Sequence, residues 1–146
     1  MVARRVEHIL LTLMVAFLAV TAVAGGAALL TGGIAPGLEL LEGSPFSSYV
    51  IPGLSLLVLV GGSALVATFM MLGRHPWSVA ASAVAGVMIM GFEVVEVLVI
   101  GSPVGIARNL QLFYFTLGLL ITGLAGWMWV SEYGVSFTGV GHKAMR

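Results

Sequence analysis

The residues with the most capacity for chemistry are Glu93 and Glu96, in the string Glu93-Val94-Val95-Glu96. Positions three apart are neighbours on one face of a helix. Two carboxyl groups so placed could take a cation, pass a proton or hold a polar head group. They are also expensive. A charge near the centre of a membrane helix costs about 2.5–3.5 kcal/mol on insertion scales. Groups able to offset that cost lie just downstream: Arg108, Gln111 and Tyr114. The spacing predicts that Arg108 reaches Glu96, while Gln111 or Tyr114 serves Glu93. Two carboxylates against one guanidinium leave a charge over, which a proton on the deeper Glu93 would cancel. Two readings follow. The five residues are a polar cluster that fixes one helix against the next, or they are a binding site.

Other chemistries lack their parts. Cysteine and aspartate are absent, so no thiolate, disulfide or Ser/His/Asp set forms. A diiron bundle needs Glu-x-x-His pairs, and His8, His75 and His142 all lie outside the apolar runs. Gly139-Val140-Gly141 opens a dinucleotide fingerprint with neither the strand before it nor the chain after it. The methionines at 70, 71, 88 and 90 read as core filler. Phe113, Tyr114 and Phe115 read as packing aromatics. No catalytic set, no metal and no cofactor is expected, so the chain does not read as an enzyme.

The elements that position the acidic pair follow from composition. Of 146 residues, 60% are apolar and 8% charged, and mean hydropathy is +1.13. A soluble domain is nearer 45–50% apolar with about 25% charged. Six basic residues balance six acidic ones, which leaves no basic surface for nucleic acid. Crossing a bilayer takes about 20 apolar residues as a helix. Four runs qualify: residues 9–30, 51–72, 77–100 and 110–130. They are too long and continuous for barrel strands. The fold class expected is all-α, a four-transmembrane-helix bundle over residues 1–130. A tail, 131–146, follows. Ala22-Val23-Ala24 mimics a signal-peptidase site, but the run continues past it, so a retained first helix is expected.

Lys and Arg in short connections set orientation. Arg4, Arg5, Arg74, Lys143 and Arg146 fall on one side and Arg108 on the other. Both termini are therefore expected in the cytoplasm, with the tail there too. Trp77, Trp127 and Trp129 would mark the cytoplasmic interface, and Tyr49 the outer end of the second helix. In the long outer loop, residues 38–42 predict one or two turns of helix, ended by Gly43, Ser44 and Pro45. The acidic pair would lie ~7–12 Å to the outer side of the run's centre. Transporter sites usually lie at the midplane. Membrane helices associate through small residues and interhelical hydrogen bonds. Expected contact stripes are Thr12, Ala19, Ala22 and Gly26 on the first helix; Ser55, Gly62 and Ser63 on the second; Ser78, Ser82 and Gly86 on the third; and Gln111, Gly118 and Thr122 on the fourth.

Several strings are familiar in combination: Gly43-Ser44-Pro45-Phe46, Ile51-Pro52-Gly53-Leu54, Val60-Gly61-Gly62-Ser63, Arg74-His75-Pro76-Trp77, Val95-Glu96-Val97-Leu98-Val99-Ile100-Gly101 and Leu110-Gln111. Across roughly residues 43–123 the chain resembles a widespread set of uncharacterised small bacterial four-helix integral membrane proteins. The resemblance implies a multi-pass protein of the bacterial plasma (inner) membrane and brings no activity with it. The chain lacks the cysteine pair of vitamin K type quinone reductases. It also lacks the first-helix glutamate of small multidrug transporters.

The function expected from small size and small-residue faces is an accessory or structural subunit of a bacterial membrane assembly. The alternative is an ion or small-molecule binder, or a proton-coupled transporter, using the acidic pair. Expected partners are membrane lipids and other membrane subunits or further copies of the chain, with no nucleic acid. The cysteine-free sequence makes the orientation testable. A His75→Cys variant should react with a membrane-impermeant maleimide only after cells are permeabilised, and Ser47→Cys in intact cells. The opposite pattern would invert the topology.

Overall fold

The computed structural model describes residues 1–34 and 36–140, with side chains described as far as Glu132. The described residues are helical or lie in turns and loops. Four helices are long and apolar enough to cross a membrane: Val2–Thr31, Val50–Leu72, Ser78–Ile100 and Ile106–Glu132. The fourth continues to Val140. We refer to them as the first to fourth helices. One end of the bundle carries residues 32–49 and 101–105 and is called the loop end. The other carries Met1 and the turn at residues 73–77 and is called the Met1 end.

Consecutive helices are antiparallel neighbours, the first pair joined by the long loop and the other two by short turns. The first packs on the second, the second on the third and the third on the fourth, and the first touches the fourth lightly. The second and fourth helices sit across a diagonal without contact among the described residues. Leu11, Leu18, Met71, Ile89 and Ile121, all essentially inaccessible, form the centre of the core.

Among the described residues, the closest approaches of one helix backbone to another use glycine. A methyl group added at Gly118 would fall 2.8 Å from the Gly86 carbonyl oxygen, and one at Gly86 would fall 2.9 Å from the Gly118 carbonyl oxygen. The third and fourth helices therefore cross where neither has a side chain. A methyl group at Gly26 would fall 2.8 Å from the Gly53 carbonyl oxygen, which sets the crossing of the first and second helices. These contacts use the expected stripes on the first, third and fourth helices.

The second helix departs from expectation. Its buried residues are Gly53, Val60, Gly61, Ala64, Ala67 and Met71. Gly62 faces open space, and the Ser63 hydroxyl turns back to the Val60 carbonyl at 3.0 Å. The reason is a π-helical stretch, Ser55–Gly61, between α-helical Val50–Leu54 and Gly62–Leu72. Wider i→i+5 bonding shifts the face, so Val60 and Gly61 are buried side by side.

Helix ends also differ from the apolar runs. The first helix starts at Val2 rather than near residue 9, because Ala3, Arg4, Arg5 and Glu7 are good helix formers. The fourth helix spans Ile106–Val140 and runs through much of the expected tail. Hydropathy marks where backbone needs shielding, and a helix with no proline to stop it continues beyond. Residues 141–146 lie outside the described residues. The expected turn after the long loop's start is a 3₁₀ turn, Leu38–Leu41, with Leu41 buried. Gly43 follows at φ 81°, a conformation that suits glycine.

Between the second and third helices the chain makes a Schellman turn. His75 N–H reaches the Met70 carbonyl at 2.9 Å and Arg74 N–H the Met71 carbonyl at 3.2 Å. This pattern places a left-handed residue at the second position past the helix. Here that residue is Arg74, at φ 52°, at a cost of roughly 1–2 kcal/mol relative to glycine.

The glycine contacts yield a paired prediction. Gly118→Ala should lower unfolding stability in detergent by about 1–3 kcal/mol through overpacking. Gly123→Ala, where nothing lies within 4 Å, should instead gain about 0.5–1 kcal/mol from reduced chain entropy. Equal effects in a denaturant titration would remove the crossing from this account.

Candidate functional site

The acidic pair lies on the last two turns of the third helix, toward the loop end. Glu93 is buried at 5% exposure and Glu96 is half-buried. The pair turns inward, away from the exposed apolar side chains Val94, Val95 and Leu98 of the same helix.

Gln111, buried at 4%, joins the third helix to the fourth. Its amide nitrogen donates to Glu96 Oε1 at 3.1 Å and to the Gly101 carbonyl at 3.1 Å. Only the nitrogen can donate, so these two acceptors fix the amide's orientation. The amide oxygen therefore faces the other way. Gln111 Oε1 is buried and without a partner, and so is Glu93 Oε2.

Gln111 or Tyr114 was expected to serve Glu93; Gln111 serves Glu96. Arg108 was expected to reach Glu96; it is exposed, and its guanidinium donates to the Ser102 carbonyl at 3.0 Å. Arg108 sits in the first turn of the fourth helix, where the 101–105 loop offers a nearer acceptor in a more solvated place. A guanidinium brought to Glu96 would lose that hydration. Tyr114 is half-buried; its ring packs edge-on to Phe113 at 5.2 Å, and Phe113 meets Phe17 at 5.9 Å.

Around these groups is a cavity of about 400 Å³, lined by side chains of all four helices and the long loop. Glu93, Glu96, Gln111 and Tyr114 lie on its wall, and Arg108 does not. Thr21, Ser55 and Tyr49 add hydroxyl groups; the remaining wall is apolar. Leu40, Leu41 and Phe46 from the long loop complete it. The Tyr49 hydroxyl donates to the Gly37 carbonyl at 3.0 Å and so ties the loop to the second helix. Burial raises the Tyr49 phenol above its ordinary value, and Glu39 and Glu96 add to that. It therefore stays a protonated donor at neutral pH.

The wall carries two carboxyl groups and no basic side chain. A carboxylate and an amide oxygen both accept hydrogen bonds, so Glu93 Oε2 and Gln111 Oε1 cannot satisfy one another. A donor has to come from a third group, whether a proton or the N–H or O–H of a guest. The volume lies within the range of small-molecule pockets, ~300–1,000 Å³. Sequence reasoning found the pair and its amide but not Thr21, Ser55, Tyr49 or the loop's part in the wall. The one signal for Tyr49 was its place at the end of an apolar run.

No protein-family model, curated protein or solved structure matches the chain.

The different environments of Gln111 and Arg108 can be separated by substitution. Gln111→Leu should cost about 1–3 kcal/mol, since it strips the donor from a half-buried carboxyl and a loop carbonyl. Arg108→Gln, at an exposed site, should stay within about 0.5 kcal/mol of the parent. Chemical unfolding in detergent micelles would read both. A larger loss from Arg108→Gln would restore the guanidinium to the cluster.

Proposed function

We propose that this is a multi-pass protein of the bacterial inner membrane that binds a small, largely apolar cation, such as a hydrophobic amine, in its loop-end cavity. One observation carries the reading: Glu93 Oε2 and Gln111 Oε1 are two buried oxygens without a hydrogen-bond partner on the wall of a largely apolar cavity. An ammonium group supplies several N–H donors and a charge opposite to that of the carboxyls. Its hydrocarbon would lie against Leu29, Leu56 and Ile89, which line the same space. The reading takes both termini as cytoplasmic, on the arginine and lysine distribution. The loop end then faces outward, and a guest enters from that side or from the outer leaflet.

A second reading, an accessory or structural subunit of a bacterial membrane assembly, draws on a different observation. Gly91, Gly123 and Gly126 face open space on the third and fourth helices, where another helix could approach closely. Its consequence is a partner protein that co-purifies in mild detergent. An isolated monomer would count against it.

The binding proposal is tested by thermal unfolding of the purified protein with octylamine, 1-octanol or octanoate added. Octylamine at a hundredfold excess over its Kd should stabilise by about 2.7 kcal/mol, octanol less, and octanoate not at all. The doubly substituted Glu93→Gln/Glu96→Gln protein should lose the preference for amine over alcohol. If it responds to octylamine as the parent does, the amine is not read by these carboxyls and the proposal fails.

A further inference from the structure

We propose that the Met1 end holds a second site, for a phosphoryl oxyanion: the phosphate of an anionic lipid headgroup or inorganic phosphate itself. A recess of about 540 Å³ lies there, lined by Arg4, Arg5 and Arg74 together with His8 and His75. Two carboxylates, Glu7 and Glu132, share the wall. Glu7 already accepts from Trp127 Nε1 at 3.3 Å, and Glu132 is exposed. Three guanidinium groups thus line the space against two carboxylates.

Four further observations converge on this recess. Among the described residues, none of the three guanidinium groups has a hydrogen-bond or ion-pair partner. The third helix begins here, with Ser78 and Val79 on the wall, and has neither a side-chain cap nor an acidic residue in its first turn. The Ser78 N–H is taken by the His75 carbonyl at 3.0 Å; the next N–H groups of that first turn have no intrahelical partner, and such groups attract anions. Arg4 and Arg5 stand in the first turn of the first helix, against its dipole, an arrangement that a bound anion relieves. His75 Nδ1 accepts from Trp77 N–H at 3.2 Å, so the neutral ring carries its proton on Nε2 and offers a further donor. Finally, the left-handed position of the 73–77 turn, which suits glycine, holds Arg74. The orientation rule accounts for the number of arginines at this end. It does not account for their meeting around one recess.

The test uses the full chain in a neutral detergent. Native mass spectrometry would compare retention of phosphatidylglycerol and phosphatidylcholine. Thermal unfolding would compare inorganic phosphate with chloride at matched ionic strength. The expected result is a preference of about tenfold, near 1.4 kcal/mol, for phosphatidylglycerol. Arg74→Gly should reduce it about fivefold while the anion-free protein unfolds at the same or a higher temperature. That combination separates loss of a ligand from loss of the fold. Arg108→Gln, at the opposite end, should change nothing. If phosphate alone stabilises the protein and displaces the lipid, the free anion is the occupant; if it does neither, the occupant is the headgroup. Equal retention of the two lipids with no phosphate effect would overturn the proposal. So would an Arg74→Gly protein that binds as the parent does.

Discussion

The contact of the third and fourth helices at Gly86 and Gly118 is the constraint from which the loop end follows. Two helices whose backbones meet at one level must diverge away from it unless they are parallel. Here they meet near the middle of the bundle, and toward the loop end the space among the four helices is a cavity, with Gln111 still joining the third and fourth. Larger residues at the crossing would hold the helices apart along their whole length. They would also break the close packing that associates helices where lipid competes for every apolar side chain.

Within that divergence the polar groups arrange themselves by solvation. Glu93 and Glu96 turn inward, and Gln111 bridges from the neighbouring helix to one of them. The guanidinium of Arg108 stays with the loop carbonyl nearest to it. An amide carries no charge and loses little on burial when its nitrogen is used, whereas a guanidinium loses much more. The bridge between the two helices is thus neutral. No basic side chain lines the wall that carries the two carboxyl groups.

The four helices were legible because hydropathy over twenty residues is a strong signal, and three of four contact stripes were legible because small residues recur at helical spacing. The second helix misled because a π-helical turn changes the phase without any mark in composition. Ser55, Gly62 and Ser63 fit an ideal 3.6-residue period, and the chain does not keep that period. The Glu96–Gln111 bond was half legible: the partners were named and wrongly paired, since one-dimensional spacing does not tell which of two carboxyls lies level with the amide. The cavity could not be read at all. Its wall draws Thr21, Ser55, Tyr49 and Leu41 from separate segments, and no local pattern joins them.

The π-helical stretch has a consequence for how this chain tolerates change in length. A single π turn inside an α-helix is equivalent to one surplus residue accommodated by a local widening. Removing one residue within Ser55–Gly61 would close the widening and leave both flanking segments facing as they do. The same deletion elsewhere in the second helix would rotate Ala64, Ala67 and Met71 by about 100° relative to Gly53. Evolution or an engineer could therefore shorten the second helix at this one place without rebuilding its partners.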